Sequence, residues 1–203
     1  MNATLNRPSK QLRAKLATGA DVQRACIAPF STYLGWMAVA WRDDVLVGNV
    51  FGHASRRSAE LALARMPGLP PAFCRIDVDS LSNETPARIA ELVDMLYRYA
   101  DGDEVDFSEV VLSLEHLTPF GRRVVAACRA IPWGQTKSYG ELAAACGSPG
   151  AARAVGSVMA KNRFPLIVPC HRVLAAGGEL GGYSAPDGLT MKRRLLAMEG
   201  RTL

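Results

Sequence analysis

The chain has 203 residues, 49% of them hydrophobic and 21% charged, with a formal net charge of +5. That composition is the one expected of a soluble globular protein of one or two small domains. No apolar run approaches the ~18 residues of a membrane-spanning helix, so no membrane partner is expected.

The charge is unevenly spread. Residues 115–203 carry 12 Lys/Arg against 5 Asp/Glu, a net +7, while residues 1–114 carry 12 against 14, a net −2. A basic half beside a slightly acidic one points to a polyanionic partner for the C-terminal part. Ordinary surface charge is the competing explanation. The cysteines at 26, 74, 128, 146 and 170 are odd in number and form no Cys-x-x-Cys pair. This argues against a disulfide framework or a zinc knuckle, and suits a reducing compartment such as the cytoplasm, or the nucleus in a eukaryote.

Residues 1–20 hold Arg7, Lys10, Arg13 and Lys15 and no acid, and they lack the apolar stretch of a secretory signal. A flexible tail is expected over 1–25, cytosolic or touching DNA, with an organelle transit peptide as the alternative. Residues 35–51 read as a β-hairpin around Arg42-Asp43-Asp44. Ser58–Arg65 reads as a short helix, stopped by Met66-Pro67-Gly68. Arg75–Asp79 alternates like a strand. Thr85–Tyr99 reads as a helix capped by Thr85, with Ile89, Leu92, Val93, Leu96 and Tyr97 on one face. The first half is therefore expected to be a small α/β unit with an antiparallel sheet.

The second half reads as helices. Thr118-Pro119 opens one that runs to about Ala130 and stops at Ile131-Pro132-Trp133-Gly134. Ser138 opens another, with Glu141 completing a capping box, through Ala145. After a Cys146–Gly150 turn, Ala151–Lys161 forms a third, rich in small residues and carrying Arg153. Helix, short glycine-containing turn and helix make a helix-turn-helix pattern.

Pro169-Cys170-His171-Arg172-Val173 carries the chemistry. A cysteine at the end of the apolar run Phe164–Val168 is inert unless a neighbour favours its thiolate, and His171 is the candidate; the competing reading is a buried structural cysteine beside a surface histidine. In an extended segment adjacent side chains point apart, so the pair would need a local turn or a bridging water.

With these motifs in view, the chain resembles the O6-alkylguanine-DNA alkyltransferases, that is, the methylated-DNA–protein-cysteine methyltransferases. The resemblance rests on Pro169–Val173, Ile131–Gly134, Ser138–Ala143, Ala151–Gly156, Gly182-Tyr183-Ser184 and Leu195–Gly200. These cover residues 118–200 densely, and residues 30–115 resemble the family's N-terminal domain in outline, including Leu96–Gly102. The resemblance implies a ribonuclease-H-like α/β N-terminal domain over 26–112. It implies a mostly helical catalytic and DNA-binding domain with a helix-turn-helix over 113–203.

It also implies roles. Cys170 takes the alkyl group, His171 is its base through a water, Glu199 holds His171, and Asn162 braces the turn that presents Cys170. Tyr139 helps rotate the damaged nucleotide out of double-stranded DNA and Arg153 fills the gap, with Ala151 and Ala152 at the DNA. Met159, Val173, Tyr183 and Ser184 line the base pocket. The target atom is buried in a stacked duplex, so extrusion is required. Each molecule, a monomer, would act once and need no cofactor.

Two departures from the family stand out. Arg163-Phe164 follows Asn162 where the family usually has proline. Cys26, His53 and Cys74 do not reproduce the zinc ligands of the human member, so no metal is expected. Two rivals remain. A lesion-binding relative would lack the acceptor cysteine, and a cysteine hydrolase or redox enzyme would not need Tyr139 and Arg153.

Overall fold

A computed structural model describes residues 25–69, 73–80 and 85–201. The expected N-terminal tail lies outside the described residues except for Ala25, which opens the first strand. Three strands, β1 (Ala25–Thr32), β2 (Gly35–Arg42) and β3 (Val45–His53), form an antiparallel meander. Tyr33 and Leu34 connect β1 to β2, where Gly35 takes φ +96 with His53 O only 3.0 Å from where a Cβ would sit. Asp43, at φ 53, turns β2 into β3.

Helix α1 (Arg56–Ala64) follows, capped by Ser55, and then β4 (Phe73–Arg75) joins the sheet beside β1. The strand order is β3-β2-β1-β4, and β4 runs parallel to β1. The sheet is therefore mixed, not antiparallel. The expected strand at Arg75–Asp79 is displaced: the ladder ends at Arg75, and Val78–Ser80 is a 3-10 turn. β1 went unread because Pro29 interrupts it. It is tolerated because β4 pairs only with Ala25–Ile27, leaving one edge of β1 open at Pro29.

Both faces of the sheet are covered, which is why β2 and β3 read as continuous apolar runs rather than alternating ones. α1 packs Ala59 and Leu63 against Ile27, Ala38, Ala40 and Val50. Helix α2 (Ala87–Asp101) covers the other face with Ile89, Leu92, Val93 and Leu96. Thr85 does not cap α2; Pro86 holds the N-cap position and makes no side-chain cap bond. Tyr97 is half-buried, and Tyr99 takes its place on the buried face. Gly102, at φ 100, ends the helix.

The remaining helices are α3 (Pro119–Arg129), α4 (Tyr139–Ala145), α5 (Ala152–Ala160) and α6 (Gly188–Met198). Thr118 caps α3, and Ser138 with Glu141 forms the expected capping box of α4. A two-residue strand, β5 (Lys137–Ser138), pairs in parallel with β6 (Val173–Leu174). This ladder sets the start of α4 beside the residues that follow Cys170.

One hydrophobic cluster runs through both halves, joining Phe51, Leu96 and Tyr99 to Val124, Val168 and Leu195. Backbone bonds cross the same boundary: Leu46 N–H donates to Val111 O at 3.0 Å, and Asn49 N–H to Arg163 O at 2.9 Å. No helix among the described residues is long and apolar enough to cross a membrane.

Candidate active site

Cys170 begins a 3-10 turn, Cys170–Arg172, rather than continuing an extended segment. The preceding loop is tightly held. Asn162 Nδ2 donates to Val168 O at 2.8 Å and to Cys170 Sγ at 3.3 Å, and Asn162 Oδ1 accepts from Phe164 N–H at 2.9 Å. Val168 N–H closes onto Phe164 O at 2.7 Å. Leu166, buried, sits at φ 72, a conformation a bulky residue holds only when its surroundings impose it. The imposition comes from β3: Asn49, buried, donates its Nδ2 to Pro165 O at 2.9 Å as well as its N–H to Arg163 O. Asn49 thus anchors Arg163 and Pro165 from across the chain.

Cys170 is 7% exposed, and burial pushes its thiol up; the Asn162 amide, the Lys192 charge and the N–H groups of Cys170 and His171 pull the other way. The net shift is upward, so the group is a thiol at neutral pH and needs a base to react. No direct hydrogen bond joins Sγ to His171 among the described residues. His171 is fully buried, with Nε2 2.8 Å from Glu199 Oε1. Its Nδ1 is buried and has no hydrogen-bond partner among the described residues. Burial pulls its pKa down, against the opposing pull of Glu199, and keeps the ring neutral.

Glu199 collects donors. Arg172 reaches it with Nε at 2.8 Å and NH2 at 2.9 Å, and Tyr99 donates its hydroxyl to Oε1 at 2.7 Å. Burial would raise its pKa, but the bonds and charges of His171 and Arg172 win and bring it to about 2. Arg172 also donates to Ile131 O at 2.6 Å and lies over the Trp133 ring.

Cys170 lines two cavities, which share Tyr183 and Ser184. One, of about 460 Å³, is bounded by Tyr139, Gly156, Met159 and Ala160. The other, of about 390 Å³, opens toward Phe51, His53, Ala62 and Met66 of the N-terminal half. The Tyr139 ring lies between two glycines: a Cβ on Gly181 would sit 3.3 Å from it and one on Gly156 3.9 Å. Neither cavity is lined by Cys26, Cys74, Cys128 or Cys146. Cys128 is fully buried, and burial foremost drives its pKa well up.

Residues 119–201 match the model of a family described as 6-O-methylguanine DNA methyltransferase, DNA binding domain. A methylated-DNA–protein-cysteine methyltransferase of Methanothermobacter thermautotrophicus is 41% identical over 128 residues, 62% of this chain and 70% of that protein. The chain belongs to the methylated-DNA–protein-cysteine methyltransferase family. Another member, from Mycolicibacterium paratuberculosis, is 45% identical over 118 residues, 58% of this chain and 69% of that protein. The crystal structure of Mycobacterium tuberculosis OGT in complex with DNA superposes with TM-score 0.65 at 33% identity, covering 86% of this chain and 92% of that one. The O6-methylguanine-DNA methyltransferase of Pyrococcus kodakaraensis gives 0.66 at 26% identity, covering 86% and 99%. As a methylated-DNA–protein-cysteine methyltransferase, the protein repairs DNA by moving an alkyl group onto a cysteine.

The structure gathers most of the residues expected at such a site. Cys170, His171, Glu199, Asn162, Tyr139, Met159, Tyr183 and Ser184 surround the cavities or the bonded cluster beneath Cys170. Val173 does not line either cavity; it is fully buried at the start of β6, and its carbonyl accepts from Lys192 Nζ at 2.7 Å. Arg153 is exposed on α5 and makes no ion pair among the described residues, and Ala151 and Ala152 are half-buried at the start of that helix. No three His, Cys, Asp or Glu side chains among the described residues gather as a metal-ligand set.

Four residues of the site carried no role in the sequence. Arg172 stood in the quoted motif. Lys192, fully buried, bonds the carbonyls of Val173 and Leu180 and lies 5.9 Å from the Tyr183 ring centroid. Tyr99 and Asn49 come from the other half of the chain. The signal for Tyr99 was its spacing of seven from Leu92 and three from Leu96 on the buried face of α2.

Proposed function

We propose that Cys170 is the acceptor of an alkyl group from O6-alkylguanine in duplex DNA, in a single turnover. The observation that carries this reading is that Cys170 alone among the five cysteines opens onto both cavities, while the buried His171–Glu199 pair lies behind it. The guanine occupies the cavity bounded by Tyr139, Gly156 and Met159, and the alkyl group points toward the one shared with β3 and α1.

The thiol proton passes through a water to His171 Nδ1. Sulfur attacks the alkyl carbon, the S–C bond forms as the C–O6 bond breaks, and the electron pair leaves with guanine. Tyr139 supplies a proton to the guanine ring and regains one from solvent, while His171 gives up the thiol's proton to solvent, so the products are S-alkylcysteine and guanine. The thioether is stable and nothing in the site removes it, hence one turnover. Every group comes from one chain, so a monomer suffices.

α4, the Cys146–Gly150 turn and α5 act as a helix-turn-helix, in a catalytic and DNA-binding domain over 113–203. α5 enters the minor groove, its small residues Ala151, Ala152 and Gly156 allowing close approach. Arg153, exposed and without an ion-pair partner among the described residues, fills the place of the extruded nucleotide as wedging side chains do in minor-groove proteins. The 26–112 domain is ribonuclease-H-like in its strand order, three antiparallel strands with the fourth added in parallel beside β1.

The deciding experiment is intact-mass analysis after mixing with a duplex that carries one O6-methylguanine. One methyl per molecule on the Cys170 peptide, after a burst with no further turnover, is expected. Repeated turnover, methyl on Cys128 or Cys146, or tight lesion binding with no mass gain would overturn the reading.

A further inference from the structure

We propose that Tyr99, from the N-terminal half, is a positioning residue of the relay: its hydroxyl holds the Glu199 oxygen that fixes the His171 tautomer, leaving Nδ1 free to act as the base. The inference rests on the reading of Cys170 and His171 given above.

A phenol has one proton to donate. Tyr99 oxygen is 2.7 Å from Glu199 Oε1 and 3.3 Å from His171 Nε2. The carboxylate is ionised and closer, so the proton goes to Oε1. Burial, then the neighbouring Glu199, drives the Tyr99 pKa well up, so it remains a donor at any pH the protein meets. His171 Nε2 stands 2.8 Å from the same Oε1. Two acceptors do not approach that closely, so Nε2 must carry a hydrogen. With Nε2 protonated in a neutral ring, Nδ1 is a bare lone pair.

The opposite arrangement is excluded by the same distances. Had Tyr99 donated to Nε2, then Nε2 and Oε1 would be two acceptors 2.8 Å apart, and Nδ1 would carry the hydrogen with no lone pair for the thiol proton. By giving its proton to Oε1, Tyr99 leaves Nε2 to donate to the same oxygen and holds the carboxylate in that place. That geometry is rigid: Tyr99 is fully buried on α2, its ring packed against Trp133 at 5.4 Å, edge to face, and against Phe107 at 5.9 Å. The charged and titratable groups bearing on the pair are Arg172, which bonds Glu199, and Lys192, whose charge disfavours the imidazolium. Cys170 and Tyr183 complete the set.

Tyr99→Phe keeps the packing and removes the hydroxyl. We expect transfer from free O6-benzylguanine and from O6-methylguanine in duplex DNA to slow alike, by roughly tenfold, the rate equivalent of ~1.4 kcal/mol. Affinity for undamaged DNA should change little. Losing a donor makes Glu199 a stronger partner for a protonated His171, so the limb of the pH–rate profile set by neutral His171 should move to higher pH. In the unaltered protein, nitrogen chemical shifts should report His171 protonated on Nε2 alone; in Tyr99→Phe they should report a mixture. His171→Ala is the control. If His171→Ala abolishes transfer while Tyr99→Phe leaves rate and pH profile unchanged, the inference about Tyr99 is overturned and the relay stands. If His171→Ala transfers normally, the relay itself is overturned and Tyr99 with it. Should Tyr99→Phe fail to fold, the unaltered protein still decides, because a His171 protonated on Nδ1 contradicts the inference directly.

Discussion

Arg172 holds Glu199 by both arms of its guanidinium, Nε at 2.8 Å from Oε2 and NH2 at 2.9 Å from Oε1, with both side chains buried. These two residues are 27 positions apart, one in the Cys-His-Arg turn and the other just past α6. The pair keeps an anion under His171 that burial alone would neutralise, and it ties the turn that presents Cys170 to the C-terminal helix.

Removing the cation should strand that carboxylate. Arg172→Met is expected to cost about 3–5 kcal/mol of stability, the range for breaking a buried pair from one side. Adding Glu199→Gln should recover part of the loss, because no charge is then left unpaired. Urea denaturation of the two variants is the measurement. A loss below about 1 kcal/mol, as for an exposed pair, would contradict this account.

Acid should weaken the fold through Glu199. Its folded pKa, about 2, lies below the ordinary 4.5. The unfolded chain therefore binds the proton more readily, so the contribution is complete above pH 4.5 and is lost as pH falls toward 2. Urea midpoints of the unaltered protein should fall between pH 4.5 and 2 more steeply than those of Glu199→Gln. Equal slopes would remove Glu199 from the acid response.

Lys192 acts in the same sense, at alkaline pH. Burial lowers its pKa from the ordinary 10.5 to about 8, so the unfolded chain again holds the extra proton. Stability from this group rises with pH between 8 and 10.5, and Lys192→Met should abolish that rise. The same variant withdraws a positive charge that favours the Cys170 thiolate. The rising limb of the pH–rate profile with free O6-benzylguanine should then move to higher pH. An unmoved limb would mean that Lys192 serves only the carbonyls of Val173 and Leu180.

Arg153 is expected to matter for duplex DNA and not for the chemistry. It is exposed, on the outer side of α5, and it lines neither cavity. Unstacking a nucleotide costs a few kcal/mol, so Arg153→Ala should slow repair of O6-methylguanine in duplex DNA tenfold or more, at roughly 1.4 kcal/mol per decade. Reaction with the free base should hardly change. Equal slowing on both substrates would contradict the assignment.

Much of the site was legible because its residues fall in short motifs of the C-terminal half. Asn162, Cys170 and His171 lie within ten positions, and the α4 capping box announces itself. What stayed hidden came from across the chain. Asn49 on β3 reads as one polar residue in an apolar strand, and nothing local says that it pins the backbone at Arg163 and Pro165. Tyr99 was passed over for Tyr97, since both lie near the apolar stripe of α2 and only packing against Trp133 and Phe107 separates them. Val173, the last residue of the motif, was expected at the pocket from the family resemblance, but pairing with Lys137 across β5 and β6 turns it into the interior. β1 was hidden by its proline, and the parallel β4 by its length of three residues.

The continuous core has a thermodynamic consequence. A hydrophobic cluster that takes in Leu96 and Tyr99 on one side and Val124 and Leu195 on the other, crossed by the Tyr99–Glu199 and Asn49–Pro165 bonds, gives neither half a complete interior of its own. Calorimetry should record one cooperative heat-absorption peak rather than two. The sheet signal in circular dichroism and the protection of the Cys170 thiol from a disulfide reagent should disappear together as denaturant is raised.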